Sequence, residues 1–178
     1  MSAHAPSLQP DDHAASLDER GAWLYQVRLF EDLRDQPQAI SELAAVMETR
    51  HYPEGQAILS EGEEGVDAYF LISGQVRVQK RVAGDENFPV ALLEAKDHPF
   101  FGEAALLASD VRSATILTQL PCTCLILHKS AFDRFCASRP EWALPVVRRI
   151  ARVVLERLHK ANNDVVLLYN ALVSEVKG

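Results

Sequence analysis

Apolar positions along the chain change rhythm twice. From about residue 22 to residue 47 they recur at helical spacing. Leu24, Val27, Phe30 and Leu33 follow three-residue steps, and Ile40, Leu43 and Met47 follow steps of three and four. Pro37 cannot continue a helix interior and predicts a break between two helices. From Tyr52 to His128 the rhythm shortens, and glycines punctuate brief apolar runs. This predicts strands over 56–59, 68–73, 76–82, 90–93, 114–118 and 120–127, with turns at Gly55, Gly62, Gly65, Gly74 and Gly84. Strands this short and evenly spaced predict a small antiparallel barrel or roll. The last fifty residues return to helical spacing. Ser130 with Asp133, and Ser138 with Glu141, match the helix-start signal in which a hydroxyl and an acid three residues on cap free amides. Pro140 suits a first turn, and Pro145 is expected to begin or kink the final helix.

That final helix carries a second periodicity. Val147, Ala151, Val154, Leu158, Ala161, Val165, Leu168 and Leu172 are spaced 4-3-4-3-4-3-4. A helix packed only on its own domain drifts toward a 3.6 period, whereas a sustained 3.5 period is the mark of a supercoiled pair. The spacing predicts a homodimer through the helix over residues 147–172.

The fold class is therefore α+β: an antiparallel, jelly-roll-like β-roll over 51–128, N-terminal helices over 21–50, and C-terminal helices over 129–178. Residues 1–20 are polar and small, with Pro6, Pro10, Asp11 and Asp12, and are expected to form a disordered tail. Composition narrows the function. Acidic residues number 25 against 18 basic ones, a formal net charge of −7, which argues against bulk nucleic-acid binding. With neither a secretory h-region nor an apolar run of about 18 residues, a cytoplasmic protein without a membrane span is expected. The three cysteines are Cys122, Cys124 and Cys136; the first two should share one strand face as buried thiols, and no metal site is expected.

The stretch Phe101-Gly102-Glu103-Ala104-Ala105-Leu106-Leu107-Ala108-Ser109-Asp110-Val111-Arg112-Ser113-Ala114-Thr115 carries the candidate chemistry. Gly102 permits close backbone approach to a ligand. Glu103 to Leu107 suit a short helix whose first amides can face an anion. Arg112 precedes a strand and offers the paired donors that suit a phosphodiester. A carboxylate would repel that phosphate, so Glu103 must serve a hydroxyl. The combination points to a ligand with a negative charge beside a hydroxyl, as in a cyclic nucleotide.

This stretch closely resembles the phosphate-binding cassette of the cyclic-nucleotide-binding domain family, whose members include the regulatory subunits of cyclic-AMP-dependent kinase and the bacterial catabolite activator. The F-G-E-x-A-L and R-[ST/A]-A elements are both present. Tyr52-Pro53-Glu54-Gly55-Gln56-Ala57-Ile58, Glu61-Gly62-Glu63 and Tyr69-Phe70-Leu71-Ile72-Ser73-Gly74-Gln75-Val76 resemble the family's first strands and turns. The resemblance implies that Glu103 accepts from the ribose 2′-hydroxyl and Arg112 binds the exocyclic phosphate oxygens. It further implies phosphate donors at the Ala104 and Ala105 amides, with Gly102 admitting the sugar and Ser113 touching phosphate or purine. Serine at that position favours cyclic AMP as ligand, with cyclic GMP or cyclic di-GMP as alternatives. No cofactor is implied.

Two positions depart from the pattern. The turn before the cassette, Lys96-Asp97-His98-Pro99-Phe100, lacks the family's glycine, and His98 is expected as an exposed turn residue. The purine lid comes from the final helix in the family; here Asn162 and Asn163 are candidates to offer amides to the adenine edge. The chain ends six residues beyond Leu172, so the expectation is either a stand-alone, bacterial-type sensor without DNA-binding or other output domain, or a fragment of a longer chain; in either case ligand binding is expected to be relayed through the C-terminal helices to an unidentified protein partner or a second subunit. The alternative is a coiled-coil interaction protein with a vestigial pocket. Paired metal ligands or an acid–base pair facing the phosphate would be needed for an enzyme, and none is evident.

Overall fold

A computed structural model describes residues 17–82, 86–108 and 110–177. The expected tail up to residue 16 and the turn at Gly84 lie outside these residues. Helix α1 (Leu17–Leu24) starts inside the stretch assigned to the tail. A 3-10 helix (Arg28–Leu33) and α2 (Pro37–Val46) follow, with Pro37 in the first turn of α2, where its missing amide costs nothing.

The strands are β1 (Glu48–Tyr52), β2 (Ala57–Leu59), β3 (Glu64–Gly65), β4 (Asp67–Ser73), β5 (Gln75–Arg81), β6 (Asn87–Glu94), β7 (Phe100–Phe101), β8 (Asp110–Val111), β9 (Thr115–Thr118) and β10 (Cys122–His128). They form two four-stranded antiparallel sheets, ordered β1-β10-β4-β7 and β2-β9-β5-β6, plus the ribbon β3-β8. This is the predicted α+β roll.

The first sheet is covered on both faces, which is why β4 and β10 are nearly continuous apolar runs rather than alternating ones. Ala68, Phe70, Leu125 and Leu127 face the helices, joining Phe30, Ile40, Phe132 and Ile150 in one core. Tyr69, Leu71, Cys124 and Ile126 face the second sheet, joining Val76, Phe101 and Ile116 in another. Phe70, fully buried against Phe30 at 5.4 Å between ring centroids, ties helices to sheet. Its truncation to alanine would cost about 3–5 kcal/mol. Cys122 and Cys124 are buried on the same side as predicted, and burial pushes the Cys124 thiol up to about 12.

Helices α3 (Lys129–Ser138) and α4 (Pro140–Lys177) complete the chain. Neither predicted serine cap forms. The chain passes directly from β10 into α3, so His128 takes the cap position without a side-chain bond, while the Ser138 hydroxyl donates back to the Phe135 carbonyl. Pro145 lies within α4 rather than at its start. There it forgoes the amide bond that would reach the Glu141 carbonyl one turn back, the ordinary cost of a proline inside a helix. Arg149, buried, clamps α4 to the 3-10 helix through Asp32, with Nη2 2.8 Å from Oδ1 and Nε 3.1 Å from Oδ2. Among the described residues, no helix is long and apolar enough to cross a membrane.

Candidate functional site

The site forms where the short strands meet. β7 pairs with β4, Tyr69 opposite Phe101, and the two rings stack at 5.6 Å and 7°. Gly102 then turns the chain with φ of 75°, and a 3-10 helix follows over Glu103–Leu106. This glycine is required twice. Its φ is one that side-chain-bearing residues avoid, and a Cβ there would lie 2.7 Å from Arg112 Nη1 and 2.9 Å from the Asp67 carbonyl.

Arg112 returns to this turn from the other side. Its backbone is pinned in both directions: its amide donates to the Glu63 carbonyl at 2.8 Å, and its carbonyl accepts from Gly62 at 2.9 Å. These bonds continue the β3-β8 ribbon, in which Gly65 faces Asp110. The side chain runs inward and is only 8% exposed as a residue. Nη2 donates to the Asp67 carbonyl at 2.9 Å, Nη1 to the Gly102 carbonyl at 3.3 Å, and the guanidinium lies over the Tyr69 ring at 5.9 Å. It is threaded past Gly65, where a Cβ would fall 2.1 Å from Nε. These hydrogen bonds go to neutral carbonyls. A cation buried with such partners keeps most of its charge uncompensated, an arrangement that favours an incoming anion.

Glu103 is the second buried charge, at 0% exposure, and neither carboxylate oxygen has a partner in hydrogen-bond geometry. Burial pushes its carboxyl above the usual range, opposed first by the Arg157 guanidinium from α4. Arg157 Nη1 stands 2.5 Å from Oε1, an ion-pair contact without the alignment of a directed hydrogen bond.

The structure thus brings Gly102, Glu103 and Arg112 together, with Ala104 and Ala105 on the same 3-10 turn. The Ala105 amide is already engaged by the Gly102 carbonyl at 3.2 Å. Ser113 is exposed at the rim. Asn162 and Asn163 are exposed on α4 and make no hydrogen bond to the cassette among the described residues. His98 departs from the expectation of an exposed turn residue. It is half-buried, takes the left-handed conformation at φ of 49° where a glycine was expected, and sets its ring 5.2 Å from that of Trp23. Sequence reasoning missed Gly65, Tyr69 and Arg157. For Arg157 a signal existed: Ala143, Val146, Ile150 and Val153 form the buried stripe of α4, and the next position on it is a cation.

Residues 49–139, about half of the chain, match the family described as the cyclic nucleotide-binding domain. The chain is 38% identical over 114 residues to a cGMP-dependent protein kinase of Caenorhabditis elegans, an alignment covering 63% of this chain and 14% of that protein. It is 25% identical over 143 residues to a CRP-like cAMP-activated global transcriptional regulator of Mycobacterium tuberculosis, covering 80% of this chain and 60% of the regulator. Among solved structures, the catabolite activator protein of Thermus thermophilus superposes with a TM-score of 0.69 at 27% identity, covering 79% of this chain and 62% of that one. The chain thus spans less than two thirds of the length of each of these relatives. It belongs to the cyclic nucleotide-binding domain family.

Proposed function

As a member of that family, we propose that the chain is a sensor of a cyclic mononucleotide, cyclic AMP in preference to cyclic GMP, in which binding is relayed through α4 to a partner or a second subunit. The observation that carries this reading is the buried Arg112, held by carbonyls and a ring face beside the buried Glu103. Arg112 uses Nη1 and Nη2 once each on protein acceptors, leaving donors for the two exocyclic phosphate oxygens. Glu103 supplies an acceptor for the ribose 2′-hydroxyl. The small Ser113 at the rim supports adenine over guanine. The reading is one of binding rather than turnover.

Dimerisation belongs to the same proposal. On α4 the domain-facing stripe Ala143, Val146, Ile150 and Val153 is distinct from the heptad seam, which is offset from it by one residue, roughly 100° around the axis. Along that seam Leu158, Val165, Leu168 and Leu172 are 52%, 64%, 65% and 62% exposed. A self-complementary seam with a 3.5 period is suited to a second copy of the same helix.

The test is calorimetric titration of cyclic AMP, cyclic GMP and cyclic di-GMP into the protein, with Arg112→Ala and Glu103→Gln as controls and sedimentation to give the subunit count. Saturable cyclic AMP binding, lost in Arg112→Ala and weakened about 10- to 100-fold in Glu103→Gln, is expected. Absence of heat with all three nucleotides in a folded dimer would overturn the sensor reading in favour of a coiled-coil protein with a vestigial pocket.

A further inference from the structure

Past Asn163 the final helix turns apolar all the way round. Val165-Val166-Leu167-Leu168-Tyr169 are consecutive, and at about 100° per residue they cover the whole circumference. All of them are exposed, Val166 at 58% and Leu167 and Tyr169 at 66%. A helix that lies on its own domain keeps a polar outer face, whereas one that is apolar all round is buried among neighbours. Its own domain supplies none here. Neither core contains a residue of α4 beyond Ile150, and the described side chains beyond Val153 are exposed, apart from the half-buried Val173.

The heptad seam accounts for only part of this surface. Val165, Leu168 and Leu172 belong to it. One residue further round, Val166, Tyr169, Val173 and Val176 follow steps of three, four and three and form a second stripe, about 100° from the first. Nearer the roll this flank is polar apart from Leu155, with Arg148, Arg152, His159 and Asn162. The opposite flank does the reverse. It is apolar at Val146, Ile150 and Val153, where it meets the domain, and carries Arg157, Lys160 and Asp164 further out. The apolar flank therefore changes sides as the helix leaves the roll. A helix with one partner needs one seam, and a helix that touches two neighbours needs two. The directions to two neighbours lie about 90° apart in a square of four helices and about 60° apart in a triangle of three, so the observed separation fits four.

We propose that the end of α4, from Val165 to Val176, docks on further copies of itself: two dimers meet tail to tail, and their four helices close an antiparallel bundle. This rests on the seam pairing proposed above and adds a second interface to it, independent of the nucleotide. Length permits it. Beyond Val153 the helix runs on to Lys177, about 36 Å at its usual rise, so the tails can overlap while the rolls stay at opposite ends. Charge permits it too. No charged residue occurs from Val165 to Ser174, so identical tails meet without like-charge repulsion, and nothing there selects a charged partner helix. The same lack of lysine and arginine sets the segment apart from helices that lie on membrane surfaces, whose polar face is basic. Covering the second stripe on four helices removes on the order of 1,000 Å² of apolar surface from water, the scale of a specific interface.

The experiment is sedimentation velocity and equilibrium on the whole chain over a wide range of concentration. The parent should approach four times the 19.8 kDa chain mass at high concentration and fall to twice that mass on dilution. The double variant Val166→Lys with Tyr169→Lys should sediment as a dimer throughout. Its thermal melt should match the parent's, because both positions are exposed and outside the cores. The seam variant Leu158→Lys with Leu168→Lys should sediment as a monomer. A parent that stops at the dimer would overturn the tetramer and leave the seam standing, whereas a monomeric parent would overturn both. A tetramer that survives substitution at Val166 and Tyr169 would overturn the second stripe as its interface. Flotation of the parent with phosphatidylserine–phosphatidylcholine vesicles, lost in the double variant, would reassign the stripe to a lipid surface and overturn the proposal.

Discussion

Substituting Gly65 by alanine should strongly weaken the anion site while sparing the fold, although Gly65 lies outside the cassette. An alanine Cβ would fall 2.1 Å from Arg112 Nε and 2.2 Å from Cζ and Nη2, against ordinary contacts of 3.4 Å or more, so the guanidinium must retreat by over an ångström. That breaks the bonds to the Asp67 and Gly102 carbonyls at 2.9 and 3.3 Å and lifts the group from the Tyr69 ring. The backbone itself tolerates alanine, because the φ of Gly65 lies outside the left-handed region. Lower unfolded-state entropy offsets the lost bonds by about 0.4–1 kcal/mol, so net stability should change by less than about 1 kcal/mol. Affinity should change far more. Misplacing a charge-assisted arginine–phosphate contact forfeits about 2–3 kcal/mol, or about 30- to 150-fold in Kd. Calorimetric titration of cyclic AMP into Gly65→Ala, beside Arg112→Ala and with parallel thermal melts, measures both quantities. A Gly65→Ala protein that is folded and binds within twofold of the parent would refute the cradle. A loss of binding that only tracks a loss of folded protein would refute it equally.

Two further outcomes follow from strained or titrating groups. His98→Gly should lie within about 1 kcal/mol of the parent in chemical denaturation, because relief of the left-handed strain offsets the lost Trp23 contact and the added chain entropy. His98→Val, with its branched Cβ at the same φ, should cost about 2 kcal/mol or more. The His128 ring bridges the starts of β4 and β1, Nδ1 at 2.9 Å from Asp67 Oδ1 and Nε2 at 3.0 Å from Glu48 Oε2. The Asp67 and then the Glu48 hydrogen bond raise its pKa, while Arg50 holds the Glu48 carboxyl below its usual range. A raised histidine stabilises the fold fully below its unfolded value and loses that contribution as pH rises through the folded one. Comparing melts at about pH 6 and about pH 8.5, the parent should lose more stability than His128→Gln, by a few tenths of a kcal/mol given the exposed ring. Equal pH dependence in the two proteins would remove His128 from the account.

What was legible in the sequence was local. Glu103 and Arg112 lie in one contiguous loop, so residue types and order alone expose their chemistry, and β4 and β10 announce themselves as buried runs. The predicted seam on α4 is likewise an intrahelical pattern, and the helix is there to display it. Elements without an apolar rhythm were invisible. β1, Glu-Thr-Arg-His-Tyr, buries only Tyr52 and pairs with β10 through backbone bonds and a His51–Thr123 contact at 2.9 Å. β3, β7 and β8 have two residues each, too few to show a period.

The partners of the two buried charges were hidden for a different reason. Arg112 is held by the carbonyl of Asp67, and any residue type would supply that carbonyl. Arg157 meets Glu103 only because Arg149 and the α4 stripe lay the helix across the 3-10 helices. The motif names the groups that touch a ligand, but topology decides what those groups do while waiting for it. A sequence that keeps Glu103 and Arg112 yet exchanges Gly65 or Arg157 would keep the motif and change the site around it. For that reason the perturbations that discriminate best lie at these two positions rather than within the cassette.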